Sequence, residues 1–138
     1  MTRAFSDFSA DMKRLALSIE QEANKKLVEI GAQAGTNIAN ANPIDTGLSS
    51  GNWQASTGTP ITDVVKSYMP SSTEQRMNQF KSTKKRTGES VYVANNVDYV
   101  RMLNMFGSSV QAPVPFWVER ESEKAIKEVF ATAKFTKV

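Results

Sequence analysis

The sequence contains no cysteine and no histidine. Without cysteine there is no disulfide framework, no thiolate nucleophile and no thiolate metal ligand. Without histidine there is no imidazole base and no Cys/His zinc site. Seven glycines and five prolines are too few for a collagen-like or low-complexity chain. No apolar run approaches the roughly 20 residues that a membrane span needs. The first residues, Met1-Thr2-Arg3-Ala4-Phe5-Ser6-Asp7, hold no apolar stretch of signal-peptide length. A soluble chain made in a cytoplasm, with no membrane partner, is therefore expected. Charge excess is also scarce: 17 Lys plus Arg stand against 14 Asp plus Glu, a net of +3. That balance is not the concentrated basic face of a dedicated nucleic-acid binder. A carboxylate-only metal site or a Lys- or Tyr-based mechanism stays formally open. The composition otherwise tilts toward a protein that works by shape, with no enzymatic activity, cofactor or metal expected.

What is present suits one domain covering 1–138: 138 residues, 40% of them apolar and 22% charged. In the first third, Phe8, Met12, Leu15, Ile19, Ala23, Leu27, Ile30, Ala34 and Ile38 recur in steps of three or four, the pattern of one buried helical stripe. Ser6 or Ser9 can cap that helix, with Asp7 and Asp11 in its first turn. Lys13, Arg14, Glu20, Glu22, Lys25, Lys26 and Glu29 read as its solvated face. Pro43 stops it. About 30 residues at 1.5 Å each make a rod of roughly 45 Å, whereas a compact chain of this size is under roughly 40 Å across. Such a helix overhangs its own domain unless it kinks. Gly31 and Gly35 offer a kink or a close-contact face; equally, Gly31 can end one helix before a second, shorter one.

After the turn signal Asn42-Pro43-Ile44-Asp45-Thr46-Gly47, a strand is expected within Leu48–Thr57, centred on Trp53. Residues 61–68 are ambiguous. Ser72 and Gln75 have capping-box spacing ahead of Met77 and Phe80, which suggests a short helix over about 73–82. Ser90 to Asn95 is the clearest strand. Asp98 can cap a helix carrying Tyr99, Met102, Leu103 and Phe106 and ending at Gly107. Residues 110–115 are extended, because Pro113 and Pro115 forbid helix. A last helix is expected from Phe116 to about Phe135, with Phe116, Ala125, Ile126, Val129, Phe130 and Ala133 on one side. The fold class is α+β: a long N-terminal helix, a small, mostly antiparallel sheet with an inserted short helix, and a C-terminal helix.

Candidate chemistry is thin. Asp45, Asp63, Glu74, Glu89 and Asp98 lie at turns or element ends and read as caps and turn formers rather than catalytic acids. No P-loop, Gly-rich phosphate cradle or nucleophile elbow occurs. The one charge feature is the run Lys81, Lys84, Lys85 and Arg86, which reads first as a solvated loop and second as a contact for phosphate backbones or an acidic partner. Trp53, Tyr92, Tyr99, Phe106, Phe116 and Trp117 read as core aromatics. Adjacent residues on a helix point about 100° apart, so Phe116 and Trp117 cannot both face inward, and one is an interface candidate.

Four local patterns carry a resemblance: Asn42-Pro43-Ile44-Asp45-Thr46-Gly47, then Gly51-Asn52-Trp53-Gln54, then Val91 to Tyr99, then Gln111-Ala112-Pro113. In order and spacing, across about Ala34 to Glu119, they resemble the neck and tail-completion proteins of tailed bacteriophages, including the minor tail protein Z group. The resemblance makes Pro43, Asp45, Thr46, Gly47, Asn52, Trp53, Asn95, Tyr99, Gly107, Ala112 and Pro113 structural motif positions. It departs from the family at Val100 and at Asn104, where relatives often carry Ala and Glu. It implies a structural virion protein of the head–tail junction: a homo-oligomeric ring of about six or twelve copies around the DNA channel. The head-closure or connector protein and the tail terminator or tail-tube protein are its expected neighbours, with nonspecific contact to genomic DNA as a further expectation. In that setting Lys81, Lys84, Lys85 and Arg86 form an inserted arm facing the channel or a neighbour. A small accessory nucleic-acid-binding protein and a tail-terminator ring are the alternatives.

Overall fold

A computed structural model describes residues 5–44, 46–107 and 115–133. The element order is α1 (Phe5–Ala41), β1 (Gln54–Thr57), α2 (Pro70–Phe80), β2 (Val91–Ala94), α3 (Val100–Phe106) and α4 (Trp117–Phe130). The α+β reading holds. Strands β1 and β2 pair antiparallel, Gln54 opposite Ala94 and Thr57 opposite Val91, and α2 lies in the connection between them.

Helix α1 is one uninterrupted element of 37 residues, about 55 Å long. Gly31 and Gly35 neither end nor split it; they are its contact face. A Cβ on Gly31 would sit 2.5 Å from Cγ1 of Val91 on β2, and one on Gly35 would sit 2.5 Å from Sδ of Met77 on α2. The buried face runs Val28, Gly31, Ala32, Ala34, Gly35, Ile38, Ala39 and Asn42. It keeps Ala34 and Ile38 of the expected stripe but shifts from Leu27 toward Val28, Gly31 and Gly35, because close approach of neighbours selects small residues rather than large ones. Leu27 is exposed as a result, and so are Phe8, Met12 and Ile19. The body of the protein covers only the C-terminal part of α1. Lys26, expected on the solvated face, is 7% exposed. Its ammonium lies 2.9 Å from Glu29, 3.9 Å from Glu22 and 3.3 Å from Oγ1 of Thr132 just past α4.

Several boundaries differ from expectation. Residues 48–51 form a tight turn rather than strand, closed by Gly51 N–H to Gly47 O (3.0 Å) and Asn52 N–H to Ser49 O (3.2 Å), so β1 starts only at Gln54. Helix α2 starts at Pro70, not at a Ser72 capping box, since proline is pre-set for the first helical position. Asp98 does not cap α3; Tyr99 holds the N-cap position, and no cap side chain bonds there. Tyr99 and Phe106, read as core aromatics, are 43% and 68% exposed. Helix α4 ends at Phe130, and Ile126 and Phe130 face outward while Ala125 and Val129 are buried. The extended reading of 110–115 falls largely outside the described residues, as do Asp45, Ala112, Pro113 and Phe135.

The Phe116–Trp117 pair resolves cleanly. Trp117 is fully buried in the cluster of Val28, Ile38, Trp53, Met77, Val97 and Ala125, and its indole N–H donates to the carbonyl of Ile38 (3.2 Å). Phe116 is 53% exposed. Replacing a buried Trp by Ala removes a large apolar surface and leaves a cavity, a loss of about 3–5 kcal/mol. Trp117→Ala should therefore shift the urea midpoint far downward, whereas Phe116→Ala should move it by no more than about 1 kcal/mol equivalent. Equal shifts in equilibrium unfolding would contradict this assignment.

Candidate functional site

The motif-bearing segment after α1 forms one hydrogen-bonded knot. The chain leaves the helix at Asn42, whose side-chain amide donates to the carbonyl of Pro43 and to Oγ of Ser49, both at 2.8 Å. Its Oδ1 accepts the indole N–H of Trp53 (2.9 Å). Asn95, just past β2, donates to the carbonyl of Ser49 (2.7 Å) and accepts from the backbone of Val97 (3.1 Å). Thr46 Oγ1 accepts the amide of Leu48 (3.3 Å). Gly47 has φ 87°, and a Cβ there would overlap the carbonyl oxygen of Tyr68, so both conformation and space demand glycine. Pro43, Thr46, Gly47, Asn52, Trp53 and Asn95 are thus brought together, and of these Pro43, Gly47, Asn52 and Trp53 are buried. Gly107 ends α3 with φ 73°, away from the knot.

Asn52 extends the knot into the ambiguous segment 61–68. That stretch is an irregular strap held by side-chain amides. Asn52 Nδ2 donates to the carbonyls of Leu48 (2.7 Å) and Val65 (2.9 Å), and Asn52 Oδ1 accepts the Val65 amide (2.7 Å). Gln54 donates to Asp63 O and Asn96 to Ile61 O, each at 2.8 Å. From the other side α2 is pinned to the knot. Thr73 Oγ1 donates to Ser50 O (2.8 Å), and the Arg76 guanidinium donates to the carbonyls of Gly51 and of Trp53 (3.2 Å). No carboxylate pairs with Arg76 among the described residues, and burial lowers its pKa from the ordinary guanidinium value. The guanidinium starts so high that it remains charged throughout the physiological range. A half-buried cation on backbone carbonyls is a structural staple, and its sequence position gave no hint of it.

Asn104 is a cap for the next helix. Its Oδ1 accepts the amide of Val118 in the first turn of α4 (3.0 Å), and its carbonyl accepts the amide of Phe116 (2.6 Å). Its amide donates to both carboxylate oxygens of Glu119 at 3.1 Å. Phe116 itself takes the left-handed conformation, φ 65°, rare for a bulky residue.

The basic run does not project as an arm. It folds back on α1: Lys85 Nζ donates to Asn24 Oδ1 (2.8 Å) and to the Arg86 carbonyl (2.9 Å), and Asn24 Nδ2 donates to Thr87 Oγ1 (2.9 Å). Between the run and the helix lies a cleft of about 440 Å³ lined by Gln21, Asn24, Lys25, Lys81, Ser82, Thr83, Lys84 and Lys85. Arg86 does not line it. Glu89, read as a turn former, is one: its Oε1 accepts the Arg86 amide at 3.1 Å. Among the described residues no group of three or more carboxylates is placed to hold a metal, and no helix is long and apolar enough to cross a membrane.

No protein-family model, curated protein or solved structure matches the chain.

Asn52 satisfies three backbone groups, the carbonyls of Leu48 and Val65 and the amide of Val65, in two segments that share no regular ladder. Losing such buried partners costs about 1–3 kcal/mol for each group stranded. Asn52→Ala should destabilise the protein by about 3 kcal/mol or more on that basis. It should also raise hydrogen exchange at the Val65 amide before the β1–β2 amides respond. Protection of Val65 that survives the substitution would sink this account of the strap.

Proposed function

We propose that the chain is a structural, non-enzymatic ring component of the head–tail junction of a tailed bacteriophage virion. In this reading it is a neck or tail-completion protein seated between the head-closure or connector protein and the tail terminator or tail tube. The observation that supports it is the mismatch between α1 and the body. Residues 7–22 of this helix carry exposed Phe8, Met12 and Ile19 in one stripe with half-buried Leu15, beyond the part covered by α2, β2 and α4. A stripe at three- and four-residue spacing is built to be covered by another helix or sheet. Met102, Met105, Phe106 and Phe116 are exposed about α3 and the start of α4, close to the opposite end of α1, where Trp117 meets Ile38. Two different apolar surfaces at opposite ends suit head-to-tail contacts, which form a ring where the rotation between copies closes, rather than a self-complementary pair. Six of the motif residues, Pro43, Thr46, Gly47, Asn52, Trp53 and Asn95, meet in one hydrogen-bonded knot, in keeping with a structural role for those positions.

Sedimentation velocity and native mass spectrometry over a concentration series test this, alone and with candidate head-closure and tail-tube proteins. The native chain should form a closed ring or enter one with those partners. Each buried apolar side chain contributes about 1.5–3 kcal/mol. The triple substitution Phe8→Ser, Met12→Ser, Ile19→Ser should therefore weaken assembly on the order of 100-fold or more, with the unfolding midpoint nearly unchanged. A monomer at every concentration that also ignores both partner classes would refute the reading.

A further inference from the structure

The cleft between α1 and the 81–86 loop gathers four lysines, and its lining contains no carboxylate. Three come from the basic run, but the fourth, Lys25, comes from the helix, 56 residues earlier in sequence than Lys81. Bringing like charges together is unfavourable, so ordinary packing would either spread them or insert an acid. The nearby acids are instead committed elsewhere. Glu22 and Glu29 face Lys26 at 3.9 and 2.9 Å, and Glu89 accepts the Arg86 amide. Lys81 also borders a second cleft holding Glu29 and Glu128. There Glu29 is taken by Lys26, and Glu128 accepts from Asn37 (3.3 Å). Lys25, Lys81 and Lys84 have no ion-pair partner among the described residues.

The loop is also held in place. Asn24 is the tether, accepting from Lys85 and donating to Thr87 at the same time. An ammonium carries three donors, so Lys85, with two spent on Asn24 and the Arg86 carbonyl, retains one for a ligand. Ser82, Thr83 and Gln21 add neutral hydrogen-bonding groups to the walls. Lysine ammoniums with hydroxyl and amide donors are the set that protein surfaces use on phosphate oxygens. The volume, about 440 Å³, lies within the roughly 300–1,000 Å³ of small-ligand sites.

We propose that this cleft is a phosphate site that holds the backbone of a nucleic acid, with Lys25, Lys81, Lys84 and Lys85 as its cationic contacts and Asn24 as the residue that positions the loop. Arg86 lies outside it despite belonging to the run. For the identity of the polyanion the inference rests on the junction reading, where packaged genome is the polyanion at hand; the site itself does not depend on ring formation. Readout is sequence-independent, because nothing in the cleft is aromatic or shaped to meet base edges.

Fluorescence anisotropy of a short labelled DNA duplex against the full-length chain tests this. Neutralising four phosphates predicts a slope of log K against log salt of about −3.6. That corresponds to an affinity loss of about 150-fold between about 50 and 200 mM salt. Lys25→Gln and Lys84→Gln should each flatten the slope by about 0.9, and Arg86→Gln should leave it unchanged. Asn24→Ala keeps every charge and should still weaken binding several-fold by untying the loop. Melting curves of each variant check that the fold survives. Absence of duplex binding at low salt overturns the proposal. So does an Arg86→Gln effect equal to that of Lys25→Gln, which would mean a diffuse basic loop, and so does an Asn24→Ala variant that binds like the native chain. Competition separates the sources. Orthophosphate that releases the duplex at matched ionic strength would make this a free-phosphate site. Poly-glutamate that competes as well as unlabelled duplex would assign the cleft to an acidic protein. Duplex binding without assembly keeps the cleft and removes the ring reading; assembly without duplex binding does the reverse.

Discussion

Everything in this fold depends on how closely other elements can approach α1 between Val28 and Asn42. The contact face is made of Gly31, Ala32, Gly35 and Ala39, with Val28 and Ile38 between them. Because Gly31 and Gly35 offer no side chain, Val91 and Met77 rest almost on the helix backbone. That places β2 and α2 on the same stretch of α1, and β1 follows β2 through four paired residues. Trp117 closes the arrangement by donating to a carbonyl of the same helix. A larger residue at either glycine would have to lift a strand or a helix.

A two-stranded sheet of four residues per strand contributes little of its own; isolated hairpins are marginal in water. Side chains take over the work that ladders do elsewhere. Asn42, Asn52, Gln54, Asn95 and Asn96 bond backbone groups of segments that have no regular partner, and Arg76 binds two further carbonyls. These amides are not interchangeable with hydrophobic residues of similar size, since each one lost leaves buried carbonyls or amides unmet. The fold is therefore polar-specified around the knot and apolar-specified around α1. Six of the motif residues, Pro43, Thr46, Gly47, Asn52, Trp53 and Asn95, gather in the knot, which gives their spacing a physical meaning: they set where the chain turns.

The helices were legible because periodicity survives in any amphipathic segment. The face that α1 buries was legible only in part: Ala34 and Ile38 of the expected stripe are buried, whereas Leu27 is exposed and Val28, Gly31, Ala32 and Gly35 are buried instead, since large residues dominate a hydrophobic pattern whereas close packing here selected small ones. The caps were misplaced for a related reason. Ser72 and Asp98 have cap chemistry, but Pro70 starts α2 earlier and Tyr99 occupies the cap position of α3. Asn104, seen in the sequence only as a departure from a Glu, caps α4 from a different element, and no local pattern encodes that. Of the basic cleft, the run at 81–86 was visible. Lys25 was not, because a lysine on a charged helix face looks the same whether it meets solvent or a loop folded back from far along the chain. Lys26, its neighbour, is nearly buried with Glu29. The two lysines look alike in sequence and are separated only by the arrival of α4 on one side and the loop on the other.

The length of α1 gives these local facts their larger consequence. Residues 7–22 extend about 24 Å, with apolar side chains on one stripe and no element of the described body covering them. Isolated helices of this length are marginal in water, and helical stability in proteins comes chiefly from packing an apolar face. The covered half of α1 nucleates the helix, so propagation into the bare half costs little, but that half adds almost nothing to the stability of the single chain. Its sequence nevertheless keeps the three- and four-residue spacing through Phe8, Met12, Leu15 and Ile19. On the reading proposed above, a pattern that the described body does not use for its own core is what a partner surface would cover. The cleft at Lys25 begins where that bare segment meets the body, at Gln21 and Asn24. The apolar stripe and the cationic cleft thus follow each other along one rigid helix, so whatever covers the first fixes where the second points.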